Sequence, residues 1–212
     1  MTLALPRLNR IPADQRGITI GDFLVPIRVG ESLSSRSRHI VLILAGVLLV
    51  AACARVYIPT LPVPFTGQTF GVLLVGGALG FRRAAISLAL YLLLGAVGLP
   101  IYSEGRAGLA ILEGPTGGYI IGFVLAAALV GRLAELGWDR HIGGALGAML
   151  LGNALIYAVG VPWLAVVLDL TPSAAIAAGM TPFLAWDAIK LVAAAAIFPI
   201  AWWIVGKRPG ER

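Results

Sequence analysis

Apolar residues in this chain fall in long unbroken runs, separated by short polar stretches or by stretches rich in glycine and proline. The runs lack the strict alternation of a half-buried strand, so they predict hydrophobic helices. Six are expected: Ile40 to about Ile58, Gly67 to about Phe81, Ala84 to about Leu99, Tyr119 to about Leu133, Ile142 to about Val167, and Pro182 to Val205. The second and fourth fall short of the roughly 20 residues that a full bilayer span needs, which leaves open whether their ends lie elsewhere or they line a cavity. Between the runs, Pro59, Pro62 and Pro64 favour a stiff extended loop, and Arg82-Arg83 separates the second run from the third. The stretch from Ile101 to Gly118 reads as an ordered loop on the outer side, and Leu168 to Thr181 as a second outer loop.

The expected fold class is therefore all-α, an integral membrane bundle of six transmembrane helices occupying 38–206. Residues 1–37 are mixed and polar with no continuous apolar core of a signal peptide, and read as a cytoplasmic extension, with 207–212 as a cytoplasmic tail. Composition agrees: 59% of residues are hydrophobic, 12% are charged, and the mean hydropathy is +0.93. Those values lie far from a water-soluble domain. The 27 glycines suit helices that pack closely in lipid.

A net charge of +6 raises nucleic acid as a partner, but the positions of the basic residues argue against it. Thirteen of the 16 (Arg7, Arg10, Arg16, Arg28, Arg36, Arg38, Arg82, Arg83, Arg132, Arg140, Lys207, Arg208 and Arg212) fall on one side of the expected topology, against Arg55 and Arg106 on the other. This asymmetry places both termini in the cytoplasm. The single Cys53 excludes an internal disulfide and a cysteine metal site, and reads as a small apolar helix residue.

The chemistry concentrates in the last run. Asp187 and Lys190 stand three residues apart, on one helical face, near its outer end. A charge inside a bilayer costs roughly 2.5 to 3.5 kcal/mol, so the pair marks a functional site, each residue the other's partner. A carboxylate accepts hydrogen bonds and an ammonium donates them, and together they fit a polar group carrying both N–H and C=O, such as a urea. Asn153, Tyr157, Gln68 and Tyr91 are further polar groups on apolar helices, where interhelical bonding or core packing competes with ligand contact. Gly117 and Gly118 end a glycine-rich stretch whose backbone N–H groups could meet a ligand at a helix start, with a plain turn as the alternative. No Gly-x-x-x-x-Gly-Lys-Ser/Thr, Gly-x-Ser-x-Gly or His-Glu-x-x-His pattern occurs, so an ATPase, serine hydrolase or zinc hydrolase lacks its signature here.

Taken together, Val63-Pro64-Phe65-Thr66-Gly67-Gln68-Thr69, Tyr91 to Pro100, Gly114-Pro115-Thr116-Gly117-Gly118-Tyr119, Gly160-Val161-Pro162-Trp163 and Asp187-x-x-Lys190 resemble the BioY family. That family comprises the biotin-specific S components of energy-coupling factor (ECF) transporters. The resemblance implies a six-helix protein of the cell membrane that captures biotin from outside, with uptake driven by a separate transmembrane coupling protein and two ATPase subunits. It implies contact of Asp187 and Lys190 with the biotin head group, and no catalytic activity, cofactor or metal. S components often carry Ala-x-x-x-Ala on the first helix where the coupling protein docks, whereas here Ala45 is followed at i+4 by Leu49. From the residues alone an S component for another vitamin, a membrane enzyme using the acid/amine pair, and a purely structural bundle stay open.

Overall fold

The computed structural model describes residues 18–24 and 35–205. Most of the expected N-terminal extension and the 207–212 tail lie outside them. The helices are α1 (Gly21–Leu24), α2 (Ser35–Ala54), α3 (Gln68–Ala96), α4 (Leu109–Glu113), α5 (Gly117–Glu135), α6 (Ile142–Val167), α7 (Pro172–Gly179) and α8 (Leu184–Val205). Two short strands, β1 (Tyr57–Ile58) and β2 (Phe65–Thr66), pair antiparallel between α2 and α3.

Among the described residues, five stretches are long and apolar enough to cross a membrane, with α7 as an additional short helix leading into α8. The expected count was six, and the difference lies in α3. The second and third runs form one 29-residue helical element, interrupted at Gly80, where φ is 78° and ψ is 176°. In a straight helix Gln68 and Tyr91 would stand about 34 Å apart, yet Gln68 Nε2 donates to the Tyr91 hydroxyl at 2.7 Å. The two halves therefore lie side by side. The reversal comes at Gly80, two residues before the arginines expected to mark it, because the left-handed φ needs glycine and a Cβ there would stand 2.8 Å from Glu135 Oε1. Gly131 of α5 lets that helix press against the reversal, and Glu135 Oε1 accepts the Phe81 N–H at 2.8 Å, capping the second half.

Other boundaries moved for local reasons. Helix α2 stops at Ala54, not Ile58, because Tyr57 and Ile58 pair with Thr66 and Phe65, which gives the expected extended loop a hairpin base. The stretch from Leu168 to Thr181 is not a loop: Thr171 Oγ1 accepts the Ala174 N–H, Pro172 follows, and α7 forms. The expected loop from Ile101 to Gly118 contains a 3₁₀ turn and α4, and α5 begins two residues early.

Helices α3, α5 and α6 form the packed centre, with α2 against α3 and α8 against α6. Tyr91, Tyr102, Phe123, Ile156 and Leu164 belong to one cluster of the core, and Leu73, Val130, Met149, Leu191 and Phe198 to a second. Outward-facing Val41, Leu44, Leu48, Ile189, Val192, Ile200 and Trp203 leave α2 and α8 with exposed apolar stripes, as contact with lipid requires.

Candidate ligand-binding site

At the end of the bundle opposite Gly80 lies a cavity enclosing about 570 Å³ of space free of atoms, part of it open to solvent. Its walls come from the β2 region (Val63, Pro64, Thr66), the start of α3 (Gln68, Thr69), α5 (Tyr119, Ile120, Phe123), α6 (Ile156, Tyr157) and α8 (Asp187, Lys190). Thus elements far apart in sequence meet there.

Asp187 sits in the first turn of α8, where the partial positive charge of the helix start favours a carboxylate. Its side chain is nearly fully buried, and Lys190, one turn on, pairs with Oδ1 at 2.7 Å. The other oxygen, Oδ2, accepts from Asn153 Nδ2 at 3.1 Å and from the Tyr157 hydroxyl. Lys190 Nζ also donates to Thr69 Oγ1 at 2.7 Å and to the Thr66 carbonyl at 3.1 Å. All three ammonium N–H groups are therefore engaged, while the carboxylate, with about four acceptor positions, keeps one. The ion pair is held in place before any ligand arrives, so little side-chain freedom is left to lose on binding.

Away from this charged end the cavity wall is mainly apolar and aromatic. Phe183 of the wall packs at a tilt against Phe65 outside the lining, ring centres 4.3 Å apart, and Tyr119 meets Tyr157 edge to face at 6.4 Å. The Tyr119 hydroxyl donates to the Gly179 carbonyl at 2.8 Å, which ties α7 to α5 across the site. Ser103 and Thr116 add two hydroxyls to the lining. The result is a cavity with a mostly apolar wall and a few polar groups, the Asp187–Lys190 pair among them, the usual composition of a small-molecule site.

Of the residues singled out in the sequence, Asp187, Lys190, Gln68 and Tyr157 line the cavity. Asn153 stands behind Asp187 and touches it. Tyr91 stands behind Gln68, fully buried, and its hydroxyl donates to the Ile101 carbonyl at 3.0 Å, linking the site to the loop that follows α3. Gly117 and Gly118 are absent from the lining: a side chain on Gly117 would strike the Leu112 carbonyl, and one on Gly118 would strike Trp163. Their smallness serves close packing, and Trp163 Nε1 donates to the Gly114 carbonyl beside them. Thr66 and Thr69, which hold Lys190, were missed. Their only signal was proximity to Gln68 after the proline-rich loop. Trp186 is half exposed on the outer surface of α8, as an interfacial anchor would be.

Residues 28–207 match the family model described as the BioY family. A protein named biotin transporter BioY from Thermotoga maritima is 42% identical over 159 residues, spanning 74% of this chain and 92% of its own length. One of the same name from Rhizobium etli is 40% identical over 142 residues, 64% of this chain and 75% of its own. The crystal structure of the S component for biotin from an ECF-type ABC transporter superposes with a TM-score of 0.72 at 24% identity, covering 84% of this chain and 96% of that one, which is a likeness of fold. With four fifths of its length inside the family model, this chain belongs to the BioY family.

Proposed function

We propose that this protein is a biotin uptake subunit of the multi-pass membrane type, an S component that binds biotin at the Asp187–Lys190 cavity and delivers it inward. The observation that carries this reading is the buried ion pair at the head of a cavity with apolar sides. Biotin is a flat bicyclic urea bearing an aliphatic acid chain. The free acceptor position on Asp187 suits a ureido N–H. Lys190 can turn one of its three N–H groups from the Thr66 carbonyl to the ureido oxygen. A buried site of this kind discriminates strongly, since an analogue lacking the urea would leave those groups unpaired. The chemistry is recognition and not turnover: the acid and amine are locked together.

Because the chain carries no nucleotide-binding signature, energy for release inward would come from partners, a transmembrane coupling protein and two ATPase subunits. Helix α2 offers the docking face, with Ala45, Leu48, Leu49 and Ala52 exposed along one side while Gly46 is turned into the bundle. The fold-back of α3 at Gly80 supports six crossings, and the distribution of arginines supports an inner Gly80 end, an outer cavity and cytoplasmic termini.

The test is mass spectrometry of small molecules released from the purified, denatured protein. Intact biotin, displaced by added biotin and not by thiamine, riboflavin or niacin, is the expected result. Recovery of another vitamin, or of a product of biotin turnover, would contradict the proposal.

A further inference from the structure

A second cavity lies at the Gly80 end, far from the ligand site. It is lined by His39 and Ile43 of α2, by Leu79, Phe81, Arg82, Arg83 and Ile86 of α3, and by Arg132 and Glu135 of α5, and encloses about 1470 Å³ including open space. Three arginines face one carboxylate among these residues. That carboxylate is already committed, one oxygen to the Phe81 N–H and the other to Arg132 at 3.1 Å. Arg83 spends one guanidinium nitrogen on Asp22 of α1 at 2.8 Å, while its other terminal nitrogen is buried without a hydrogen-bond partner.

The helix starts deepen the mismatch. Helix α2 opens with Arg36, Arg38 and His39 and no acid in its first turn. The second half of α3 opens with Phe81-Arg82-Arg83. Basic residues at a helix start add positive charge where the helix is already positive, an arrangement that an anion between them relieves. The apolar residues of the same cavity matter too, since Phe81 and Ile86 are about half exposed beside the arginines. A free inorganic anion makes no use of that wall. A molecule with a phosphate head and hydrocarbon tails uses both.

We infer that this pocket holds the headgroup of an anionic phospholipid, the phosphate between Arg82, Arg83 and Arg132 and the acyl chains along Ile43, Phe81 and Ile86. Only the choice of leaflet rests on the topology proposed above; on that topology the pocket faces the inner leaflet, where anionic headgroups meet juxtamembrane arginines. Bound there, the lipid bridges α2, the reversal of α3 and the end of α5.

The test uses the full chain in a neutral detergent, with thermal unfolding followed after addition of phosphatidylglycerol, phosphatidylcholine or inorganic phosphate, and biotin retention measured in parallel. Phosphatidylglycerol is expected to raise Tm, with no comparable rise from the other two. Arg82→Gln and Arg132→Gln, both exposed and outside the ligand site, should each lose most of that rise while retaining biotin like the parent. Arg106→Gln, a one-charge control at the cavity end, should keep it. An equal rise with phosphatidylcholine, an equal rise with inorganic phosphate, or an undiminished rise in Arg82→Gln and Arg132→Gln would each overturn the assignment. Loss of biotin retention in the parent would strike the proposed function and not this one.

Discussion

Two aspartates, Asp187 and Asp139, are equally buried, at 3% and 2% exposure, in opposite surroundings. Asp187 stands at a cavity with Lys190 at 2.7 Å, and two further donors reach its other oxygen. Asp139 lies in the turn between α5 and α6 at the Gly80 end, where Oδ2 accepts from Trp202 Nε1 at 2.6 Å. Its nearest cation, Arg140, is 3.9 Å from Oδ1 and lies over the Trp202 ring at 3.5 Å. Phe23 meets the same ring edge on, so the cluster pins the end of α8 to the α5–α6 turn and to α1. Burial alone therefore does not mark a binding acid. The distinguishing features are a tight cation and an adjoining space, not spare acceptor capacity, since Asp139 Oδ1 is itself buried without a hydrogen-bond partner.

The sharpest break of this contrast is Lys190→Ala. It removes the cation and leaves Asp187 buried with only neutral donors, so biotin retention should fall by about tenfold or more, the worth of a charged hydrogen bond of about 1.5 to 3 kcal/mol lost to the ligand. Radiolabelled biotin retained by the purified variant is the measurement. Tyr157→Phe removes one donor to the carboxylate and spares the ion pair, and titration calorimetry should record weakening of roughly tenfold, the worth of about 1.5 kcal/mol at the low end for a hydrogen bond to a charged group.

The structural acid should respond to pH instead. Burial outweighs the Trp202 hydrogen bond and the Arg140 charge, and pushes Asp139 from 3.8 up to about 6. The folded state then favours the protonated form. Its contribution to stability is complete below about pH 4, declines as pH rises, and is lost above about pH 6. Thermal unfolding of parent and Asp139→Asn in the same detergent should therefore differ by an amount that changes between those values and is constant above them. The smallest effect belongs to Gln68→Leu. One neutral hydrogen bond to Tyr91 is lost, about 1 kcal/mol of stability, while Tyr91 keeps its bond to the Ile101 carbonyl.

Much of this was legible in the chain itself, for physical reasons that differ by residue. Charges inside an apolar run are so costly that Asp187 and Lys190 announced themselves, and the runs ending at Leu133, Val167 and Val205 needed only continuous hydrophobicity. The reversal was harder to place. Arg82-Arg83 looks like an end, but the turn depends on a positive φ at Gly80 and on Glu135 reaching back from α5, neither visible in a local pattern. Helix α7 was overlooked because eight residues, small apart from Pro172 and Ile176, read as a loop between two runs until Thr171 caps them. Thr66 and Thr69 were missed because their role comes from Lys190, over 120 residues away.

The most direct test places the two acids side by side. Biotin is titrated into purified Asp187→Asn and Asp139→Asn, with the parent as reference, in one detergent at one pH. The account predicts that Asp187→Asn loses about tenfold or more in affinity while Asp139→Asn binds as the parent does. Parent-like binding by Asp187→Asn, or an equal loss in both, would contradict it.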